Sequence, residues 1–95
     1  MDQQFYIIRC KEAGVFFAHV KERNGDEATL TDCRRIWYWK GAASISQIAM
    51  EGVKDQRLSK FTMTVPEMTV LGVIEIIPCT PQAVASIQGV PVWQV

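Results

Sequence analysis

Apolar and polar positions alternate along this chain in short runs punctuated by turn residues. The first, Phe5-Tyr6-Ile7-Ile8-Arg9-Cys10, is rich in β-branched and aromatic side chains and predicts a strand. A turn at Glu12-Ala13-Gly14 leads into Val15–Arg23, apolar at its start and polar at its end. Asn24-Gly25 tolerates positive φ at both central turn positions, so it predicts a hairpin into Glu27–Asp32. With those two as the loop residues, Arg23 lies opposite Asp26 and Lys21 opposite Ala28. Arg34–Lys40 follows as a fourth strand of an antiparallel meander that Gly41 ends.

The period then changes. Ser44 caps a short helix, Ile45–Met50, with Gln47 completing a capping box and Gly52 as the stop. Ile45, Ile48 and Ala49 form its apolar stripe. Val53–Ser59 reads as a polar surface loop. Phe61–Val65 alternates as a half-buried strand closed by Pro66, and Met68–Ile77 is an apolar run expected to be the most buried strand, bent at Gly72. Thr80 and Pro81 start a second helix that Gly89 ends, and Pro91–Val95 is an extended tail anchored by Trp93. The expectation is one α+β domain over residues 1–95: a small, mostly antiparallel β-sheet or partly open barrel of about six strands, with two short helices.

Within this frame Arg34-Arg35-Ile36-Trp37-Tyr38-Trp39-Lys40 concentrates aromatic rings and cations. As a strand it places Arg35, Trp37 and Trp39 on one face, and Arg34, Ile36, Tyr38 and Lys40 on the other. Two rings about 7 Å apart with a guanidinium beside them form a stacking surface for a planar anion such as a nucleotide. The same composition suits a core face backed by an oligomer contact, since Trp, Tyr and Arg also dominate protein interfaces. Both readings stand at this point. The loop after Gly52 adds Lys54, Arg57 and Lys60, a solvated charged loop or a lid whose cations meet phosphate, with Ser59 supplying a hydroxyl.

Composition narrows the function classes. Ten basic and ten acidic side chains cancel, which argues against a protein that coats DNA or RNA. No run approaches the roughly 20 apolar residues of a membrane helix, and the polar Met1-Asp2-Gln3-Gln4 start lacks a secretory layout, so a cytosolic protein is expected. Cys10, Cys33 and Cys79 are widely spaced in apolar sequence and read as buried reduced thiols. His19 is the only histidine, expected on a partly exposed strand, and it gives neither a metal cluster nor a nucleophile–base pair. Asp32, Glu67 and Glu75 are scattered carboxylates; Glu75, inside Val73–Ile77, calls for an ion pair with Arg34 or Arg35, or else for a ligand-facing role. An enzyme, a metal site and a cofactor are therefore not expected.

Thr31-Asp32-x-Arg34-Arg35-Ile36-Trp37-Tyr38-Trp39-Lys40-Gly41-Ala42, then Ser44, Ile48, Leu58-Ser59, Val65-Pro66-Glu67 and Ile74-Glu75-Ile76-Ile77-Pro78-Cys79-Thr80, resembles a family of short, functionally unassigned proteins of tailed phages and prophages. The resemblance runs from about residue 14 to about residue 93, and it brings no active site with it. It implies a phage accessory protein made in the host bacterial cytoplasm, in the manner of small counter-defence factors that sequester a nucleotide immune signal. The combined expectation is a homo-oligomeric, non-enzymatic protein that binds a small anionic nucleotide-type ligand. Trp37, Tyr38 or Trp39 would stack on the base, Arg34, Arg35 and Lys40 would neutralise phosphate, and Lys54, Arg57 and Lys60 would close over it. The competing expectation is a module that docks on a host defence protein or a phage protein through the same strand.

Overall fold

The computed structural model describes residues 4–94; the first three residues of the polar N-terminal segment and Val95 of the tail lie outside the described residues. The chain runs β1 (Tyr6–Cys10), β2 (Gly14–Asn24), β3 (Glu27–Tyr38), α1 (Ile45–Glu51), a single 3-10 turn (Gln56–Leu58), β4 (Lys60–Val70), β5 (Val73–Pro78) and α2 (Pro81–Gln88). One antiparallel sheet in the order β4-β3-β2-β1-β5 carries both helices, the α+β architecture expected. Among the described residues it has five strands, close to the six expected. The two runs on either side of Cys33 are one strand, β3, whose buried Cys33 pairs with Val65.

Irregularities in pairing account for the remaining differences. Between the His19–Thr31 and Phe17–Arg34 pairs, Asp32 and Cys33 together face Ala18, a β-bulge in which Asp32 takes φ 48°. Pro66 does not end β4, because β4 is an edge strand and an edge needs no outward N–H at every position. The β2–β3 hairpin pairs Asn24 with Glu27 and Arg23 with Ala28, so Gly25-Asp26 is the loop. That register differs by two residues from the expected one, and an even shift keeps every side chain on its face.

The sheet is rolled. β4 and β5 lie at opposite edges, yet only Leu71 and Gly72 connect them. Val70 pairs with Ala28, the Val73 N–H donates to the Asp26 carbonyl at 2.9 Å, and the Lys11 N–H donates to the Gly72 carbonyl at 2.8 Å. Gly72 turns this corner with φ 74°. The rolled face encloses Ile8, Phe16, Ala18, Leu30, Cys33, Val70 and Val73 without a helix over it. The expected single strand Met68–Ile77 is therefore two strands, and β5 is an edge, with Ile74 half exposed, rather than the most buried strand. Glu75 pairs with Arg9 at 2.6 Å across β1–β5, not with Arg34 or Arg35, which lie on β3.

The other face of the sheet packs Ile7, Phe17, Ile36 and Phe61 against Ile48 and Ala49 of α1 and Ala83 and Ile87 of α2. Local chemistry starts and stops both helices as expected. The Gln47 N–H donates to the Ser44 hydroxyl at 3.2 Å, while the Gln47 side-chain oxygen accepts from the Ala43 N–H at 2.7 Å. The Thr80 hydroxyl accepts from the Ala83 N–H at 3.1 Å and donates to the Met50 carbonyl at 2.6 Å, so one side chain caps α2 and ties it to α1. The Val53–Ser59 segment is not wholly a surface loop, since Val53 and Ser59 are both buried. The three cysteines are free and buried, and burial pushes the thiols of Cys33 and Cys79 up to about 11. Among the described residues no helix is long and apolar enough to cross a membrane.

Candidate binding surface

β3 ends at Tyr38, opposite Lys60 at the start of β4. At this corner the rings of Trp37 and Trp93 stack with centroids 4.8 Å apart and 18° between planes. The tail is held there by main-chain contacts: Val92 bridges to Phe61, and the Trp93 N–H donates to the Phe61 carbonyl at 2.8 Å. The Lys60 ammonium lies 5.4 Å from the Trp37 ring, 5.5 Å from Trp93 and 6.0 Å from Tyr38. Trp37 is 58% exposed, Tyr38 45% and Trp93 43%. One cation thus sits among three solvent-facing aromatic rings.

The basic loop reaches this corner by backbone pairing. The Lys54 N–H donates to the Gly41 carbonyl at 3.2 Å and the Asp55 N–H to the Lys40 carbonyl at 3.3 Å. Gly41 permits that approach: a Cβ there would stand 2.6 Å from the Asp55 nitrogen and 2.7 Å from that of Lys54, at a φ of 92°. The Ser59 hydroxyl accepts from the Lys40 N–H at 3.1 Å and donates to the Asp55 carbonyl at 3.0 Å. Ser59 therefore staples the loop from a buried position instead of presenting its hydroxyl to a ligand. Lys40, Lys54 and Arg57 are exposed, with Asp55 as a carboxylate in the same loop as Lys54 and Arg57.

Three predicted side chains go elsewhere. Trp39 lies beyond the end of β3 and packs against the helix-side core, so it does not share a face with Trp37. Arg34 is 5% exposed, and its Nε, Nη1 and Nη2 donate to the carbonyls of Thr62 (2.7 Å), Ile87 (2.8 Å) and Val90 (2.6 Å). It holds the carboxyl end of α2, where a cation meets the negative pole of the helix. Burial lowers its pKa below the usual guanidinium value. Arg35 points to the rolled face, its guanidinium 4.9 Å from the Phe16 ring centre, in a shallow concavity with Glu12, Met68 and Leu71.

What the sequence reading missed is Trp93 as the partner of Trp37. Its only signal was a third tryptophan in an extended tail, because strand alternation says nothing about a contact 56 residues away. No curated protein and no solved structure matches the chain. The profile of DUF6948, a domain of unknown function, matches residues 3–87, from before β1 to the last turn of α2, and the chain belongs to that family.

Proposed function

We propose that this chain is a non-catalytic binding protein that holds a nucleotide-type anion at the Trp37–Trp93 corner. The observation that carries the reading is the Lys60 ammonium within 6.0 Å of three exposed rings. A base stacks on an outer indole face, and the phosphates meet Lys60 together with Lys40, Lys54 and Arg57. Arg34 and Ser59 contribute to this corner only by supporting it. The finer reading, that the protein serves a phage in the host cytoplasm as a homo-oligomer withdrawing a nucleotide immune signal, is supported by the resemblance carried by Arg34–Ala42 and Ile74–Thr80.

The test is a thermal-shift and tryptophan-fluorescence screen against linear and cyclic nucleotides and ADP-ribose derivatives. A ligand at 100 times its Kd stabilises by about 2.7 kcal/mol, several degrees for a domain of this size. A shift abolished by Trp37→Ala or Lys60→Ala supports the reading; a flat screen with folded protein rejects it. A second reading has its own observation. Trp37, Tyr38, Val92 and Trp93 are all exposed apolar side chains at one corner, and none lines the cavities beside α2 or beneath Arg35. A flat aromatic patch suits a protein partner, with Trp37 as its anchor. Retention of a host or phage protein that Trp37→Ala releases distinguishes this case.

A further inference from the structure

A second place on the molecule has the makings of a ligand site. Phe5, Phe17, Asp32, Arg34, Thr64 and Gln88 surround a cavity of about 270 Å³ between β3, β4 and the end of α2. Its apolar wall is rigid: Phe5 stacks on Phe17 with centroids 4.3 Å apart and on His19 at 3.9 Å. Its polar groups come from distant points of the chain, and the bulge at Asp32 brings that carboxylate to the rim.

The charges in this wall are incompletely met. A guanidinium has five N–H donors, and Arg34 gives three to main-chain carbonyls. Among the described residues no carboxylate forms an ion pair with it. The end of α2 supplies only about half a negative charge. A buried cation therefore keeps two uncommitted donors and part of its charge, both calling for an anion.

The opposite demand arises at Asp32. His19 Nδ1 lies 2.8 Å from the Gln4 carbonyl oxygen, which can only accept, so that nitrogen carries the proton. The other ring nitrogen, Nε2, stands 3.7 Å from Asp32 Oδ2, beyond direct hydrogen-bond distance. Among the described residues no lysine or arginine pairs with Asp32, so its carboxylate is left to take a cationic group.

We propose that this cavity binds a small zwitterion of the amino-acid class. Its carboxylate takes the two free donors of Arg34, its ammonium pairs with Asp32, and its apolar body lies against Phe5 and Phe17, with Thr64 and Gln88 completing the polar contacts. This site is separate from the Trp37–Trp93 corner and stands or falls without it.

The experiment is a titration of the full ¹⁵N-labelled chain with L-phenylalanine, its N-acetyl derivative and its amide, read by amide chemical shifts. L-Phenylalanine is expected to move the signals of Asp32, Thr64 and Gln88 and to leave the Trp37 and Trp93 indoles in place. Each blocked derivative, lacking one charge, is expected to bind at least tenfold more weakly. Asp32→Asn keeps a residue tolerant of the left-handed backbone and is expected to cut zwitterion affinity at least tenfold with the rest of the spectrum unchanged. Absence of shifts at millimolar L-phenylalanine, equal shifts from all three compounds, or undiminished binding by Asp32→Asn overturns the proposal.

Discussion

Asp32 faces Pro66 across β3 and β4, between the Thr31–Glu67 and Cys33–Val65 pairs. A residue with positive φ thus stands opposite a residue with no N–H, and both departures from regular pairing are confined to one rung. Left-handed backbone costs an ordinary L-residue about 1–2 kcal/mol, least for Asp and Asn. Stability is expected to rank Gly and Asn near Asp at position 32, Ala below them and Val lowest, by about 1–2 kcal/mol. Urea midpoints of the four variants measure this; an unaffected Asp32→Val would mean that the bulge relaxes.

Arg34→Ala removes three hydrogen bonds to main-chain carbonyls at the junction of β4 and α2. Buried acceptors left unpaired cost about 1–3 kcal/mol each, less in sum because α2 can shift. The expected loss is about 3 kcal/mol, and Arg34→Lys recovers little because an ammonium cannot reproduce the fork. Thermal unfolding checks both variants; near-wild-type Tm for Arg34→Lys contradicts the account.

The Trp37–Trp93 stack is exposed, so its removal should disturb binding far more than folding. Each single substitution to Ala is expected to cost about 0.5–1.5 kcal/mol, and the double variant little more than either single, because both lose the same contact. Additive losses in the double-mutant cycle would mean that the rings are energetically independent.

Cys33 and Cys79 resist ionisation in the folded chain up to about pH 11, above the ordinary value of 9.0. Between those pH values the unfolded chain releases thiol protons that the folded chain keeps, so stability falls as pH rises through this window. Below it the contribution is intact. Denaturation midpoints are therefore expected to decline from pH 9 to 11, with less decline in Cys33→Ala/Cys79→Ala. Native protein at pH 8 should leave both thiols unlabelled by a disulfide reagent that modifies them in denaturant.

Both helices were legible in the sequence because Ser44 with Gln47, and Thr80 with Pro81, act within one turn of chain. The strand pattern also came through, since burial of alternate residues leaves its mark in composition. What escaped depended on distant backbone. Arg34 looked like a ligand cation until the carbonyls of Ile87 and Val90 were in place around it. Trp39 looked like the neighbour of Trp37 because alternation holds only while a strand continues, and β3 stops at Tyr38. The His19–Asp32 pair depends on the bulge at Asp32, which no local turn signal announces.

The outer edge of β4 is obstructed to strand addition at three points. At its start the tail occupies Phe61 through Val92 and Trp93; in the middle Pro66 has no donor to offer; at its end Val70 leads into the Leu71–Gly72 corner that carries the chain to β5. An exposed strand edge is a template for aggregation, and this one is blunted by three separate devices. A sheet continued from one copy of the chain to another is more readily built on β5, where Ile74 faces solvent. The corner that presents Trp37 and Trp93 is thereby left for recognition through side chains.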